Sequence, residues 1–279
     1  MSLELLTISF TDHDAPKRFE HSLRSSGFAV LSDHPIPLDL ISSVYDEWKI
    51  FFRTDSKFDF PFDMEKQDGY FPYLSENAKG SNAKDLKEFY HIYPWGRIPT
   101  SIGPSTMDLF NALKDVASTL LEWLQSCSPE SVNKLFSMQL KDMIEDSESS
   151  LLRIIHYPPL SGNEDTNSIR AAAHEDINLL TMLVAGSEPG LQVLDLDGQW
   201  YDVSCDQDTI IVNSGDMLKM ASGGYYPSTT HQVINPKLDE NVSRYSIPLF
   251  LHPRDEVILS DSYTAESFLT ERLKEIGLK

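Results

Sequence analysis

The chain has 279 residues, 41% hydrophobic and 24% charged, which is enough to bury the core of one large globular domain. Its 43 acidic side chains outnumber 23 basic ones, and the formal charge of −20 disfavours nucleic acid and anionic membrane surfaces as partners. The sequence shows no signal-peptide pattern and no apolar run near the roughly 18 residues that span a bilayer.

Cys127 and Cys205 are the two cysteines of the chain, and a single pair so far apart is no disulfide framework. We therefore expect both thiols to be free. A reducing, cytoplasmic location follows as the expectation. The oligomeric state is left open by the sequence.

The first hundred residues are predicted to be mainly helical. Helices are expected over 13–25, where Gly27 is a stop signal, and from Pro37 to about Phe52. A short strand is expected between them, from Phe28 to Leu31. Residues 54–104 are rich in aromatic residues, proline and glycine, which indicates a loop-rich segment with a functional role.

The clearest helical pattern covers 106–126, and a second helix is predicted over 129–145. From Leu151 onward, short β-rich runs alternate with turn residues, which predicts an antiparallel sandwich or barrel. The runs are LLRIIHY, NLLTMLVA, LQVLDL, WYDV, TIIVNS, THQVI and RYSIPLFLH. A last helix is expected from about Thr264.

We divide the chain into a helical, loop-rich region at 1–104 and a region of helices and β-rich runs at 105–279, whose most informative stretch covers 151–253. The two regions are expected to form one compact unit.

Gly215-Asp216 is predicted to be a tight turn between strands. Asp195 to Gly198 lacks the spacing and terminal Glu of a calcium loop, so a β-hairpin turn is expected there.

His174-Glu175-Asp176 places an imidazole and a carboxylate two positions apart. On a strand these two side chains share a face, so they can converge on one point while Glu175 points away. His231, at the predicted start of a later strand, can supply a third ligand. Two imidazoles and one carboxylate hold iron(II) in oxygenases and leave positions open for an oxidant and dioxygen. Alone, a His-x-Asp is a weak signal that is more often a surface feature.

Arg244 and Ser246 also share one strand face, at the start of the apolar run Ile247 to Leu251. A buried Arg is costly unless it is paired, and its planar fork matches a carboxylate, to which the serine hydroxyl can add a third hydrogen bond. The alternative is that Arg244 pairs with an acidic side chain at the surface.

Together, these motifs resemble the isopenicillin N synthase-like branch of the 2-oxoglutarate and iron(II)-dependent dioxygenases. The stretches that carry the resemblance are His174 to Thr181, Pro189 to Val193, Val212 to Leu218, Ser228 to Val233 and Arg244 to Pro248. They follow the family's order over about a hundred residues, from Leu151 to Pro253. The N-terminal helices and Gly27-Phe28 look similar too, but less specifically.

The resemblance implies an α+β, mainly β fold: a double-stranded β-helix, or jelly roll, with an N-terminal helical region and flanking helices. It implies iron(II) held by His174, Asp176 and His231, with 2-oxoglutarate as co-substrate, dioxygen as oxidant and ascorbate as an assay reductant. It further implies that Arg244 and Ser246 bind the far carboxylate of 2-oxoglutarate.

Tyr157 matches a tyrosine that also touches the co-substrate in many members of this family. The alternative is an aromatic side chain that only packs on the turn formed by the two prolines after it. Ile155 stands where plant members commonly have Asn. The contact that this Asn makes with the co-substrate is therefore not expected here. Gln232 stands where the family usually has Arg, which removes a charge but no ligand.

The resemblance implies an oxygenase that hydroxylates, desaturates or cyclises a small molecule and releases succinate and carbon dioxide. Two alternatives stay open. Some members oxidise an iron-bound substrate without 2-oxoglutarate and carry the same Arg and Ser, and a cupin-like module would bind a ligand without turnover. A hydrolytic zinc site is less favoured, because no general base is evident near the ligands.

Residues 84–93 resemble a family stretch beside the active site. Alternation along this stretch predicts that Phe89, His91 and Tyr93 share one face and that Tyr90 and Ile92 share the other. The candidates for substrate contact are Tyr70, Tyr73, Tyr90, His91 and Tyr93. For any one of them, packing between the helical layer and the β-core is the favoured alternative. The substrate is not identified by the sequence.

Overall fold

The computed structural model describes residues 5, 7–76, 83–195, 197–206, 208–275 and 277–278. Its helices are α1 (Ala15–Ser26), α2 (Leu38–Phe52), α3 (Ser105–Cys127), α4 (Glu130–Asn133), α5 (Leu140–Ile144), α6 (Asp216–Ala221) and α7 (Ala265–Glu275). Short 3₁₀ turns cover Asp55–Asp59 and Leu238–Glu240. Within the described part of the chain, no helix is long and apolar enough to cross a membrane.

Ten of the fourteen strands in the described part of the chain lie after residue 150. They are β1 (Thr7–Ser9), β2 (Phe28–Ser32), β3 (Gly69–Phe71), β4 (Glu88–Ile92), β5 (Leu151–Tyr157), β6 (Ala171–His174), β7 (Leu180–Val184), β8 (Leu191–Leu194), β9 (Trp200–Asp202), β10 (Ile210–Ser214), β11 (His231–Val233), β12 (Arg244–Leu251), β13 (Ile258–Ser260) and β14 (Tyr263–Thr264).

Two sheets form the jelly roll that the resemblance implies. The larger has eight strands in the order β1-β2-β10-β7-β12-β5-β4-β3, and the smaller has four in the order β6-β11-β8-β9. β1 runs parallel to β2, whereas the pairs at the centre of each sheet are antiparallel. β13 and β14 pair with each other as a separate hairpin.

The alternation of side chains along the strands divides the core into two clusters. On β5, Leu152 and Ile154 pack with the helices, while Ile155 and Tyr157 pack between the two sheets. The inner cluster contains residues of both sheets, including Val193 of the smaller one. The inward-facing residues of the larger sheet therefore pack against the smaller sheet across this cluster.

The first four strands belong to the same large sheet as the strands of the second half. β2 pairs with β10 from Phe28↔Asn213 to Leu31↔Ile210, and β4 pairs with β5 from Glu88↔His156 to Ile92↔Leu152. Because these ladders join residues of 1–104 to residues of 105–279, we infer that the two regions fold as one unit.

The predicted helix over 129–145 is wrong, since α4 and α5 are two short helices with a turn between them. Side chains of α3 and α4 supply the physical reason. Gln125 accepts a hydrogen bond from the backbone N–H of Leu140 at 2.9 Å and donates to Asn133 at 2.7 Å. These bonds stabilise a chain reversal that competes with a continuous helix.

Two further local predictions have opposite outcomes. Gly215-Asp216 is not a tight turn between strands, because Gly215 is the N-cap and Asp216 the first residue of α6. The hairpin turn after Asp195 is confirmed: β8 and β9 are antiparallel, and Gly198 has a φ of 77°. The segment 54–104 is not loop throughout, because it contains β3 and β4.

Gly27 ends α1 with a left-handed φ of 72°, and a Cβ atom there would lie 2.4 Å from Thr229 Oγ1 and 2.9 Å from the carbonyl oxygen of Pro227. Gly27→Ala should lower the free energy of unfolding by about 2–4 kcal/mol, since it adds overpacking to left-handed strain. Urea denaturation checks this value.

Gly162→Ala is the matched control for Gly27→Ala. Gly162 has a similar φ of 84°, but a Cβ there would meet nothing within 4 Å. Its cost should be limited to the backbone term, about 1 kcal/mol. Equal losses in the two variants would show that the contact of Gly27 with the segment before His231 contributes nothing.

Candidate metal centre and adjoining cavity

His174, Asp176 and His231 converge at one end of the smaller sheet. His174 is the last residue of β6, His231 is the first residue of β11, and the two are direct cross-strand partners. The Nε2 atoms of His174 and His231 lie 3.8 and 3.7 Å from Oδ1 of Asp176. One potential ligand atom from each residue lies within 4.8 Å of the others.

Asp176 reaches this position from a loop and not from a strand. β6 ends at His174, so the expectation that both residues lie on one strand is wrong. The carbonyl oxygen of Asp176 accepts a hydrogen bond from the N–H of Asp216 at 2.8 Å, which attaches this loop to the start of α6. This bond holds the carboxylate beside the two imidazoles.

The second ring nitrogen of each histidine is hydrogen-bonded to a backbone carbonyl. Nδ1 of His174 lies 2.8 Å from the carbonyl oxygen of Ala172, and Nδ1 of His231 lies 3.2 Å from that of Thr229. Since a carbonyl can only accept, each Nδ1 carries the proton and each Nε2 presents a lone pair. Both rings are therefore oriented as metal ligands are.

The carboxylate of Asp176 is held by one oxygen and is available at the other. Its Oδ2 accepts hydrogen bonds from the hydroxyl of Thr181 at 2.5 Å and from the amide of Asn213 at 2.7 Å. Burial alone would raise the pKa of Asp176, but His231, His174 and these two donors lower it below its ordinary value. The carboxylate is thus ionised and aimed at the centre.

Burial, together with the neighbouring His231, lowers the pKa of His174 to about 4. The imidazole is therefore neutral at physiological pH, as a metal ligand must be.

Glu175 points away from the centre, as predicted: its carboxylate contacts Thr230 at 3.3 Å and Lys219 at 3.8 Å.

This donor set fits iron(II). Two imidazole nitrogens and one carboxylate oxygen form a facial triad, and no thiolate stands among these three donors. The hydrogen bonds to the outer atoms of all three side chains leave one ligand atom on each. The group can thus hold an ion on one side and leave its remaining coordination positions to small ligands.

Arg244 is buried in the interior of the jelly roll, at the start of β12. It is 2% exposed, its Nε donates to the carbonyl oxygen of Glu188 at 2.9 Å, and its Nη1 is buried with no hydrogen-bond partner among the described residues. Surface pairing with an acidic side chain is therefore not its role. A buried cation in this state requires an anion.

Tyr157 and Ser246 accompany Arg244 on the inner face of the large sheet. Tyr157 is the cross-strand partner of Arg244, whose Cζ lies 5.2 Å from the centroid of the Tyr157 ring. Ser246 is 4% exposed and lies two residues further along the same strand. Gly186 allows the guanidinium to approach, because a Cβ there would lie 2.7 Å from Nη2 of Arg244.

The two departures from the family pattern are accommodated by the fold. Ile155 packs in the apolar cluster between the sheets, where an Asn would have needed a polar partner. Gln232 donates to Gln192 on the adjacent strand β8 at 2.9 Å. Neither departure therefore affects the three side chains that can bind a metal ion.

A cavity of about 570 Å³ lies against the metal centre. His174 and Asp176 form part of its lining, and so do His91, Arg153 and Phe250. Residues of α7 close another side of the cavity, among them Leu269, Arg272 and Leu273. Volumes of this size suit a small molecule of up to drug-like dimensions.

A chain of charged and polar side chains forms one wall of the cavity. Lys87 lies 2.8 Å from carboxylate oxygens of both Glu76 and Asp85. Nε of Arg153 donates to Nε2 of His91 at 2.9 Å. Burial, and then the charge of Arg153, lowers the pKa of His91 well below its ordinary value, so this imidazole is a neutral acceptor.

The alternation along β4 separates the candidates for substrate contact. His91 and Tyr93 line the cavity. Tyr90 lies on the opposite face of the strand, where it is 0% exposed, packs against Trp48 at 5.2 Å and donates to the carbonyl oxygen of Arg97. Tyr90 is thus a core residue, and the prediction that it contacts the substrate is wrong.

Tyr73 and Tyr70 do not line the cavity in the described part of the chain either. Tyr73 is 36% exposed, and Tyr70 is buried with its hydroxyl bonded to Glu88. Three residues outside the predicted set also contribute to the site: Arg153, Thr181 and Asn213. Strand alternation could have identified Arg153, because it shares the inward face with Tyr157.

Comparison with known proteins agrees with this geometry. The model of the 2OG-Fe(II) oxygenase superfamily matches residues 148–253, and that of the "non-haem dioxygenase in morphine synthesis N-terminal" region matches residues 3–105. Flavonol synthase 1 of Crocosmia x crocosmiiflora is 29% identical over 245 residues, which cover 84% of this chain and 70% of that protein.

Two solved structures are similar over almost the whole chain. A protein of Shewanella oneidensis, provisionally designated an oxygenase, is 50% identical and has a TM-score of 0.88, with 99% of this chain and 100% of that chain covered. A protein of Caulobacter crescentus, provisionally designated a 2OG-Fe(II) oxygenase family protein, is 30% identical with the same coverage and a TM-score of 0.79. The chain therefore belongs to the isopenicillin N synthase-like branch of the 2-oxoglutarate and iron(II)-dependent oxygenase superfamily.

Proposed function

We propose that His174, Asp176 and His231 hold the iron(II) of this oxygenase and that Arg244, with Ser246 and Tyr157, binds the far carboxylate of 2-oxoglutarate. The observation that carries the proposal is the convergence of three oriented donor atoms on one point beside the cavity. Nη1 of Arg244, which is buried and has no hydrogen-bond partner among the described residues, supplies the second half of the site.

The enzyme uses iron(II), 2-oxoglutarate and dioxygen. When bound, the iron supplies the activation of dioxygen that is coupled to oxidative decarboxylation of the co-substrate. In a hydroxylation, one oxygen atom of dioxygen enters succinate and the other enters the substrate, while carbon dioxide leaves. The side chains around the centre orient the two ligands and exclude water.

We infer that a small molecule occupies the cavity, because its volume of about 570 Å³ lies in the range of small-molecule sites. His91 is the substrate contact we propose among the candidates, because it lines the cavity two residues from Tyr93 and is hydrogen-bonded to Arg153.

The formal charge of −20 argues against nucleic acid as the substrate. The free thiols of Cys127 and Cys205 suit the reducing cytoplasm.

Incubation with a metabolite mixture tests this function. With iron(II), ascorbate, dioxygen and 2-oxoglutarate, we expect equal amounts of succinate and of a product heavier by one oxygen atom, detected by mass spectrometry. His174→Ala should reduce both to background, and Arg244→Met should weaken 2-oxoglutarate binding roughly 30-fold or more. Substrate oxidation that does not require 2-oxoglutarate would contradict the assignment of the co-substrate site.

The hydrogen bond from Thr181 to Asp176 predicts a change in iron affinity. Thr181→Val keeps the shape of the side chain but removes the hydroxyl that donates to Oδ2. Loss of such a contact should weaken iron(II) binding about 10- to 100-fold, measured anaerobically by titration. Thr181→Ser retains the donor, so it should bind iron(II) nearly as well as the parent. Equal affinity for Thr181→Val would exclude this orienting role.

The close approach of Gly186 to Arg244 predicts a change in co-substrate affinity. Gly186→Ala places a Cβ 2.7 Å from Nη2 of Arg244, so the guanidinium must move. The KM for 2-oxoglutarate should rise roughly 10-fold, because a charged hydrogen bond is lost or weakened. Gly103→Ala is the control, since its Cβ would displace only the end of Glu47, at 2.9 Å. A KM that changes equally in both variants would refute the prediction.

A further inference from the structure

Arg170 is a buried cation that the functions above do not use. It lies four positions before His174, just before β6, and it is 1% exposed. Its Nη2 donates to the carbonyl oxygen of Val242 at 2.6 Å, but its Nε is buried without a hydrogen-bond partner among the described residues. A guanidinium so placed is stabilised only in part by the protein.

Arg170 and Arg244 lie near the same aromatic ring. Their Cζ atoms are 5.9 and 5.2 Å from the centroid of Tyr157, and Val242, which accepts from Arg170, is two residues before Arg244. Each arginine has a buried nitrogen with no hydrogen-bond partner in the described residues, Nε in Arg170 and Nη1 in Arg244. Two unsatisfied donors of like charge therefore occupy one interior region.

The charges facing Arg170 offset its burial only in part. Burial and then the charge of Arg244 lower the pKa of Arg170 to about 10, although Tyr157 and Glu188 act in the opposite direction. A guanidinium stays charged at neutral pH. Two buried cations beside one aromatic ring are costly, and a bound anion would offset the cost.

We propose that Arg170 is a second arginine for the far carboxylate of 2-oxoglutarate, donating from its Nε while Arg244 donates from its Nη1. This inference rests on the proposed function, which places that carboxylate at Arg244. A carboxylate has two oxygens and about four acceptor positions, so it can accept from two guanidinium groups and from Ser246 at once.

The pair of arginines has a consequence for co-substrate choice. A 2-oxo acid that lacks the far carboxylate leaves two buried cations unpaired in place of one. Discrimination against such acids should therefore depend on Arg170 as well as on Arg244. If Arg170 served only to bind the carbonyl of Val242, its loss would weaken all 2-oxo acids alike.

Anaerobic calorimetric titration of the iron(II)-loaded enzyme tests this role with two ligands. One is 2-oxoglutarate, and the other is 2-oxopentanoate, which has the same five-carbon chain without the far carboxylate. Arg170→Met should weaken binding of 2-oxoglutarate roughly 10- to 100-fold and of 2-oxopentanoate by less than about threefold. The rise in melting temperature caused by 2-oxoglutarate should shrink in parallel.

Three further variants make the test decisive. Arg170→Lys keeps the charge without the planar fork and should give an intermediate loss of selectivity, which also covers a failure of Arg170→Met to fold. Arg254→Met removes another arginine that donates to a backbone carbonyl, that of Asp142, and should leave the selectivity unchanged. Arg244→Met should lose selectivity at least as strongly as Arg170→Met.

Equal weakening of both ligands by Arg170→Met, or no weakening of either, would overturn the role of Arg170. If Arg244→Met also left the selectivity intact, the co-substrate site of the proposed function would fall with it. An effect confined to Arg244 would leave that site in place and refute only the second arginine.

Discussion

The pairing of β11 with β6 places His231 directly opposite His174, and the metal centre depends on this register. In a sheet, a shift of one residue moves every side chain of a strand to the other face, so a slipped β11 would direct Gln232 toward the centre. The ladder is irregular just beyond this pair, between His231 and Val233. The backbone carbonyls of Ala172 and Thr229 then fix both rings by accepting from Nδ1. The strand pairing thus places the two imidazoles side by side, and the backbone carbonyls orient their rings.

The two halves of the site carry opposite charges, and this separation matches the two ends of 2-oxoglutarate. The metal centre contains the ionised carboxylate of Asp176, held by Thr181 and Asn213, which are themselves cross-strand partners on β7 and β10. The interior of the jelly roll contains Arg170 and Arg244. A ligand that chelates a cation at one end and presents a carboxylate at the other satisfies both regions. The arginines have a buried nitrogen each without a hydrogen-bond partner among the described residues, and buried charge without a full set of partners is costly.

The strong side-chain alternation of the sheet explains which parts of the site could be predicted from sequence. The i, i+2 rule placed Arg244 and Ser246 on one face and grouped His91 with Tyr93, and the structure has both arrangements. The same rule should have excluded Tyr90, which shares its face with Ile92 and packs on the helices. Strand alternation does not explain the position of Asp176, because this residue lies beyond the end of β6. Hydrogen bonds to residues distant in sequence position it instead. Arg170 has no periodic pattern around it, so only the fold reveals that it lies beside Tyr157.

Two glycines contribute to the site because they have no side chain: Gly27 and Gly186. Gly27 allows the segment before His231 to pack against the end of α1, and Gly186 allows the guanidinium of Arg244 to lie against the backbone. At both positions an added methyl group would have to occupy space that already holds a group belonging to the site. The requirement differs between them: Gly27 also needs a left-handed φ, whereas Gly186 needs only space. Both close approaches join residues that are distant in the sequence, Gly27 with Thr229 and Gly186 with Arg244, so the fold is needed to see them.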